Sequence, residues 1–376
     1  MELEFTPEQD ELRTGVRALL DRECPMSLVR AVVEDGVVAD ALWKHMVDLG
    51  WPALTVPESD GGLGLGPVEL AVVVEELGRA VAPGPFVPTV CQFAPAIREA
   101  GEAVVRERFL AAVAEGSLTG ALAVAEPGRP ADPAAVRATA TPDGGAWTLA
   151  GTKTAVLGGD RADEIVVVAR QPDTTGADGV LAFVVPRSAL GVTPIRSLDA
   201  SRGLVSLELE GARVDDDRRL GEPGPETAAR LGRAIEEATA ALATEIVGTC
   251  QTIFDVTLEY AKQREQFGVP IGSFQAIKHK FADMLIALER ARATAYFAAL
   301  CQAEDDPRRT IATSTAKAAA GDCQRRVAKE GIQIHGGIGY TWEHDMHLFV
   351  RRVKTDAQLL GTTRDHRARI ASLLGL

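Results

Sequence analysis

Two stretches carry side chains suited to gripping an anionic, ring-bearing ligand: Arg264-Glu-Gln-Phe-Gly268 and Gln333-Ile-His-Gly-Gly-Ile-Gly-Tyr340. An arginine offers a planar fork of N–H donors that matches paired phosphate oxygens. Glycines where a helix ends leave room for a ligand to reach the main chain. Gln266, Phe267, Ile271, Phe274 and Gln275 could line an apolar slot for rings, and Gln333, His335, Gly336 and Gly337 stand in the second stretch. The first stretch alone has a plainer reading, in which Arg264 meets the negative end of a helix and Phe267 and Phe274 fill core. The second favours a ligand, because a bare helix terminus needs one glycine and Gly336-Gly337 supplies two.

Other chemistry is less well supported. His335, His344 and His347 could suggest a metal, but their spacing does not match H-E-x-x-H, and a closed zinc site wants four ligands. Surface or interface histidines and no metal are expected. The acidic runs Asp215-Asp-Asp217 and Glu304-Asp-Asp306 read as loop charges. A formal charge of −13 argues against nucleic acid as a partner, since such binding needs a basic face. Cys24, Cys91, Cys250, Cys301 and Cys323 form no C-x-x-C pair and read as core thiols in a reducing compartment. No run reaches about 18 apolar residues, and the first residues have neither a basic nor an apolar leader segment, so a cytoplasmic protein with no membrane partner is expected.

The elements that must position these motifs fall into three blocks. Thr6-Pro-Glu-Gln9 has the pattern of a capped helix start, and residues 40–49 and 67–79 repeat helical spacing on either side of the turn Val56 to Gly64. Residues 1–115 therefore read as a helical domain. Ala121–Ala125, Trp147–Leu149, Ile165–Ala169, Val180–Val185 and Val205–Leu209 are short apolar or alternating runs between turn signals, which predicts a small antiparallel β domain over 116–222. Asp215–Pro225 has the composition of a linker. Residues 223–376 return to helical periodicity, as in Ile277, Phe281, Met284, Leu285 and Leu288, and predict four long helices in a bundle. Helices, then strands, then helices make a segregated α+β protein.

Both motifs and their spacing resemble the acyl-CoA dehydrogenase family, and the likeness extends to Val56-Pro-Glu58, Gly61-Gly-Leu-Gly64 and Ala125-Glu-Pro127. The resemblance implies an FAD-dependent oxidation of the α,β bond of an acyl-CoA thioester, with an electron-transfer flavoprotein as the expected acceptor. It also implies that Arg264 contacts the pyrophosphate and that Gln266, Phe267, Ile271, Phe274 and Gln275 line the adenosine end. Gln333, His335, Gly336, Gly337 and Thr362 count as further cofactor contacts. In the family these segments clasp the cofactor of a neighbouring subunit, which implies an oligomer.

The chain departs from the family pattern in two places. Where the family has Thr-Glu-Pro-Gly-Ala-Gly-Ser-Asp and a later Trp-Ile-Thr around the flavin ring, this chain has Ala125-Glu-Pro-Gly-Arg-Pro-Ala-Asp132 and Ala155-Val-Leu157. Where one family location for the catalytic glutamate precedes a Gly-Thr, it has Leu360; the other location falls on Ala238. Glu236, Glu237 and Glu245 lie near the second location and read as solvated helix-face charges. No catalytic residue is assigned. Some actinobacterial members are heterotetramers in which one subunit keeps base and ring site and a paralogue supplies the clasp, acting on bulky thioesters that include steroid side chains. The resemblance implies that second role here, with a catalytic paralogue as partner. The alternatives are a self-sufficient homotetramer using Glu237 or Glu245, and a flavin-free structural or thioester-binding paralogue.

Overall fold

The computed structural model describes residues 5–376; residues 1–4, part of the leader reading, lie outside the described residues. The chain opens with helices α1 (Pro7–Glu23), α2 (Met26–Asp35), α3 (Asp40–Asp48) and α4 (Pro67–Arg79). A short α5 (Phe86–Pro88) passes through a π turn into α6 (Ala94–Ala100), and α7 (Ala103–Ala114) follows. The strands are β1 (Gly120–Ala123), β2 (Thr139–Asp143), β3 (Ala146–Ala150), β4 (Thr152–Val156), β5 (Glu164–Arg170), β6 (Val180–Pro186), β7 (Gly191–Pro194), β8 (Val205–Glu208), β9 (Ala212–Asp215) and β10 (Arg219–Leu220). Then come α8 (Pro225–Gln263), the two-residue strands β11 (Glu265–Gln266) and β12 (Val269–Pro270), α9 (Gln275–Ala303), α10 (Arg309–His335), α11 (Met346–Asp356) and α12 (Thr363–Leu373). This helix–strand–helix order is the expected α+β class.

The chain divides into two compact units. One comprises residues 38–66 and 83–238 and holds both sheets. Its larger sheet runs β10-β6-β5-β2-β3-β9, with β1 also on β5; the smaller runs β4-β8-β7. Most pairings are antiparallel, but β1 lies parallel to β5, Gly120 opposite Glu164. The continuous run Ile165–Ala169 is buried throughout, as a central strand covered on both faces must be. Gly144 and Gly145, both with positive φ, make the two-residue turn from β2 to β3. Leu149, Val167, Phe183 and Val185 share one core with Val205 and Leu207 of the smaller sheet. The expected linker is structured: Arg219 and Leu220 pair with Phe183 and Ala182 at the sheet edge, and Asp216 accepts from Trp147 Nε1 at 2.7 Å.

The other unit comprises the chain up to Val37, residues 67–82 and residues 239–376. Thr6 and Gln9 close the expected capping box of α1 in both directions. Where α4 meets α8, backbones approach through two glycines. A Cβ on Gly78 would overlap the carbonyl of Glu245, and one on Gly248 would overlap the carbonyl of Glu75. Gly78 thus serves close packing inside a helix rather than its termination. Thr244, Thr249 and Thr257 stay buried in α8 by bonding the carbonyls of Ala240, Glu245 and Ile253. The bundle departs from four long helices: α8, α9 and α10 are long, and the remainder is split into α11 and α12, of 11 residues each. The split falls at Leu360-Gly361, both with positive φ, followed by the Thr362 cap.

Candidate functional site

The first motif begins where α8 stops. The chain turns back as a hairpin in which Gln266 faces Val269 and the two tip residues, Phe267 and Gly268, both adopt positive φ. The Phe267 side chain is 93% exposed, and its ring meets that of Phe274 edge-on at 6.2 Å. The reading of these two aromatics as core is therefore overturned; a phenylalanine held in a strained conformation in water is a surface awaiting contact. Arg264 and Gln275 are exposed and Ile271 is half-buried. Arg264 bonds only through its main chain among the described residues, its amide to Tyr260 and its carbonyl to the amide of Ile271.

The second motif begins where α10 ends. Gly336 has φ 65° and ψ −138°, a region essentially closed to other residues, and the space where a Cβ would stand is open at both Gly336 and Gly337. Gln333, Gly336 and Gly337 are exposed. What joins the motifs is Tyr260, one turn before Arg264: its ring stacks on His335 at 4.5 Å and its hydroxyl lies 3.4 Å from the His335 carbonyl. Sequence reading missed Tyr260, although its spacing of four from Arg264 places both on one helical face.

His335 is not a surface histidine. It is buried, with Nδ1 donating to the Gly331 carbonyl at 2.8 Å, and burial pushes its pKa below the ordinary value. The ring is part of the motif's support rather than an outward contact. His344 lies against it at 4.8 Å, and His347 stacks on Trp342 at 4.5 Å. Among the described residues no group of His, Cys, Asp and Glu could hold a metal ion. Thr362 uses its hydroxyl locally, capping α12 through Asp365 at 2.7 Å.

Leu360, with φ 54°, sits in a loop held from two sides. The buried ammonium of Lys317 donates to the carbonyls of Leu359 and Gly361 at 2.8 and 2.9 Å, and His366 Nε2 donates to the carbonyl of Leu360 at 3.0 Å. The expectation of solvated glutamates on α8 fails. Glu245 is fully buried and paired with Arg352 at 3.1 Å, and Glu237 is buried and paired with Arg98. Glu236 is buried as well. A carboxylate buried and tied to a guanidinium is not free to reach a substrate proton.

In the β-bearing unit, the segment after β1 satisfies itself. Glu126 accepts from the amides of Arg137 and Ala138 at 2.7 and 2.8 Å and from the buried Lys153 at 2.7 Å. Arg129 reaches the Ala135 carbonyl at 2.8 Å, and Asp132 caps the following turn. Ala155 and Leu157 present no hydroxyl or indole where donors to a flavin ring would be needed. The residues present thus fit the nucleotide half of a dinucleotide, with an Arg264 guanidinium that has no side-chain partner among the described residues, open space at Gly336 and Gly337 and exposed aromatics, and do not fit its ring.

Comparison with known proteins gives a consistent setting. Family models for the acyl-CoA dehydrogenase N-terminal, middle and C-terminal domains match residues 6–117, 121–216 and 230–374. The acyl-CoA dehydrogenase IpdE2 of Mycobacterium tuberculosis is 34% identical over 368 residues, 97% of this chain and 96% of that one. The ChsE4–ChsE5 complex from Mycobacterium tuberculosis contains a chain that is 29% identical with a TM-score of 0.89, covering 100% of this chain and 99% of that one. A variant of the Tcur3481–Tcur3483 steroid enzyme is 31% identical with a TM-score of 0.85, covering 98% of each chain. These matches span the whole described fold, helices and strands alike. The chain belongs to the acyl-CoA dehydrogenase family, whose members are in general FAD-dependent oxidoreductases acting on CH–CH bonds.

Proposed function

We propose that this chain is the base-lacking subunit of a heteromeric acyl-CoA dehydrogenase, lending its clasp to the FAD of a catalytic paralogue. One observation carries the reading: the clasp motifs stand open and joined through Tyr260 and His335, while the loop that would bear a base carries Leu360. Glu237 and Glu245, the rival bases, are tied up by Arg98 and Arg352, which counts against a self-sufficient enzyme. The clasp surface, in turn, counts against a flavin-free role.

FAD, when bound, supplies the oxidant for α,β-desaturation of the thioester. The part of this chain is to hold and orient. Arg264 would meet the pyrophosphate with paired N–H donors, Gly336 and Gly337, bare of side chains, would let the ligand approach the main chain, and Gln266, Phe267, Phe274, Gln275 and Gln333 would flank the adenosine. Ile271 would line the same end, while His335 and Thr362 would act by shaping the backbone. The likeness to a steroid enzyme and to a two-subunit complex supports a bulky acyl-CoA, including a steroid side-chain thioester, as substrate. An electron-transfer flavoprotein is the acceptor we expect. No helix among the described residues is long and apolar enough to cross a membrane, and all five cysteines are buried free thiols, which suits the cytoplasmic placement we propose.

The test is co-expression with a glutamate-bearing paralogue followed by Arg264→Ala. A charge-assisted contact contributes about 1.5–3 kcal/mol, so FAD affinity at the shared site should fall by roughly 10–100-fold. Unchanged flavin content in that variant sinks the clasp.

A further inference from the structure

We infer that Arg30, on α2, is a positioning residue for the second clasp motif, an assignment that rests on the clasp reading above. Its guanidinium has three acceptors. Nη1 bonds Glu34 one turn along the same helix at 2.8 Å, Nε bonds Asp345 at 2.7 Å, and Nη2 bonds the main-chain carbonyl of Glu343 at 3.2 Å. Glu34 steadies the head group, and the other two bonds fasten it to the segment that follows the glycine turn.

That segment needs fastening. Residues 336–340 form a short 3-10 turn with glycines at 336, 337 and 339, and 341–345 carry no helix or strand. Glycines raise the number of conformations open to the free loop, so ordering it on binding costs affinity unless something orders it beforehand. Inside the turn, the Thr341 amide and hydroxyl both return to the Ile338 carbonyl. Beyond it, His344 Nδ1 accepts from the Met346 amide at 3.1 Å and its ring rests on His335. Arg30 thus closes a row that runs from Tyr260 on α8 through the rings of His335 and His344, along the chain to Asp345, and by ion pair to Arg30 on α2. It touches none of the residues assigned to the ligand and acts by holding Gly336 and Gly337 where Arg264 needs them. Each contact in the row lies within one compact unit.

The experiment sets Arg30→Ala, Arg30→Lys, Asp345→Asn and Arg264→Ala side by side in the complex with the flavin-bearing paralogue. It measures FAD dissociation constants, the mass of the assembly and the thermal midpoint. Hydrogen exchange across 336–346 is followed on the chain alone. Arg30→Ala should weaken FAD binding about tenfold and speed exchange in 336–346, with the assembly mass unchanged. Arg30→Lys keeps charge but loses the fork and should recover part of the affinity. Asp345→Asn should resemble Arg30→Ala, and a variant combining Arg30→Ala with Asp345→Asn should lose no more than either alone. If Arg264→Ala loses FAD while Arg30→Ala binds it like the parent, the positioning role is overturned and the clasp stands. A lowered thermal midpoint with unaltered FAD affinity also overturns it, as mere stabilisation. If neither variant alters FAD affinity, the clasp reading itself has failed and the Arg30 role falls with it.

Discussion

Buried polar side chains brace the loop at Leu360, and the titration of one of them gives a handle on the fold. His366 is buried on α12, and burial, followed by the nearby Lys317 charge, pushes its pKa down to about 4. Between pH 6.5 and 4 the unfolded chain would take up a proton that the folded chain refuses, so stability is whole above pH 6.5 and falls as pH drops through that window. At about 1.4 kcal/mol per unit, acidification from pH 7 to 4.5 should cost on the order of 2–3 kcal/mol through this one residue. Urea denaturation at the two pH values would measure it, and His366→Gln should flatten that part of the slope. None of this is legible in the sequence, because Leu360, Lys317 and His366 meet only after three helices have packed. The pairs Glu237–Arg98 and Glu245–Arg352 are hidden for the same reason, their members lying 139 and 107 residues apart.

Among the elements, those with local causes were readable and those with distant causes were not. The Thr6-Pro-Glu-Gln9 cap, the strands at 164–170 and 180–186 and the helix end at Gly336 follow from nearby residues and appear as expected. The strand β10 inside a loop-like stretch does not, since it exists only because β6 offers an edge. Polar β2 and β4 likewise owe their form to neighbours. The α4–α8 crossing depends on Gly78 and Gly248, each facing a carbonyl of the other helix. Gly248→Ala must push two backbones apart, and overpacking of this kind should cost about 1–3 kcal/mol or more in chemical denaturation. Gly232, with open space around it in the same helix, is the control; its change to Ala should stabilise by roughly 0.5–1 kcal/mol.

At the level of the whole molecule, the three-block architecture was readable because periodicity changes abruptly along the chain. The side chains that complete an active centre are a different matter, since the sequence departs from the family pattern at positions 125–132, 155–157 and 360, the departure on which the base-lacking reading proposed above rests. The chain purified without a partner should therefore show no visible flavin absorbance and no desaturation of acyl-CoA; a yellow, active homomer would falsify the assignment. Co-purification with the paralogue should restore that absorbance, with flavin counted against the mass of the complex.

The exposed rings and aliphatics of the unit that carries both glycine-bearing motifs have a further effect. Phe267 at 93%, Tyr340 at 80% and Ile286 at 69% exposure face water in a solitary chain. Chaperones and proteases recognise such uncovered apolar surface in a damaged protein. On the proposed pairing with a paralogue, copies synthesised in excess of it would be handled as damaged goods, so cellular abundance of this polypeptide should track that of the paralogue, whatever the rate at which its own message is translated.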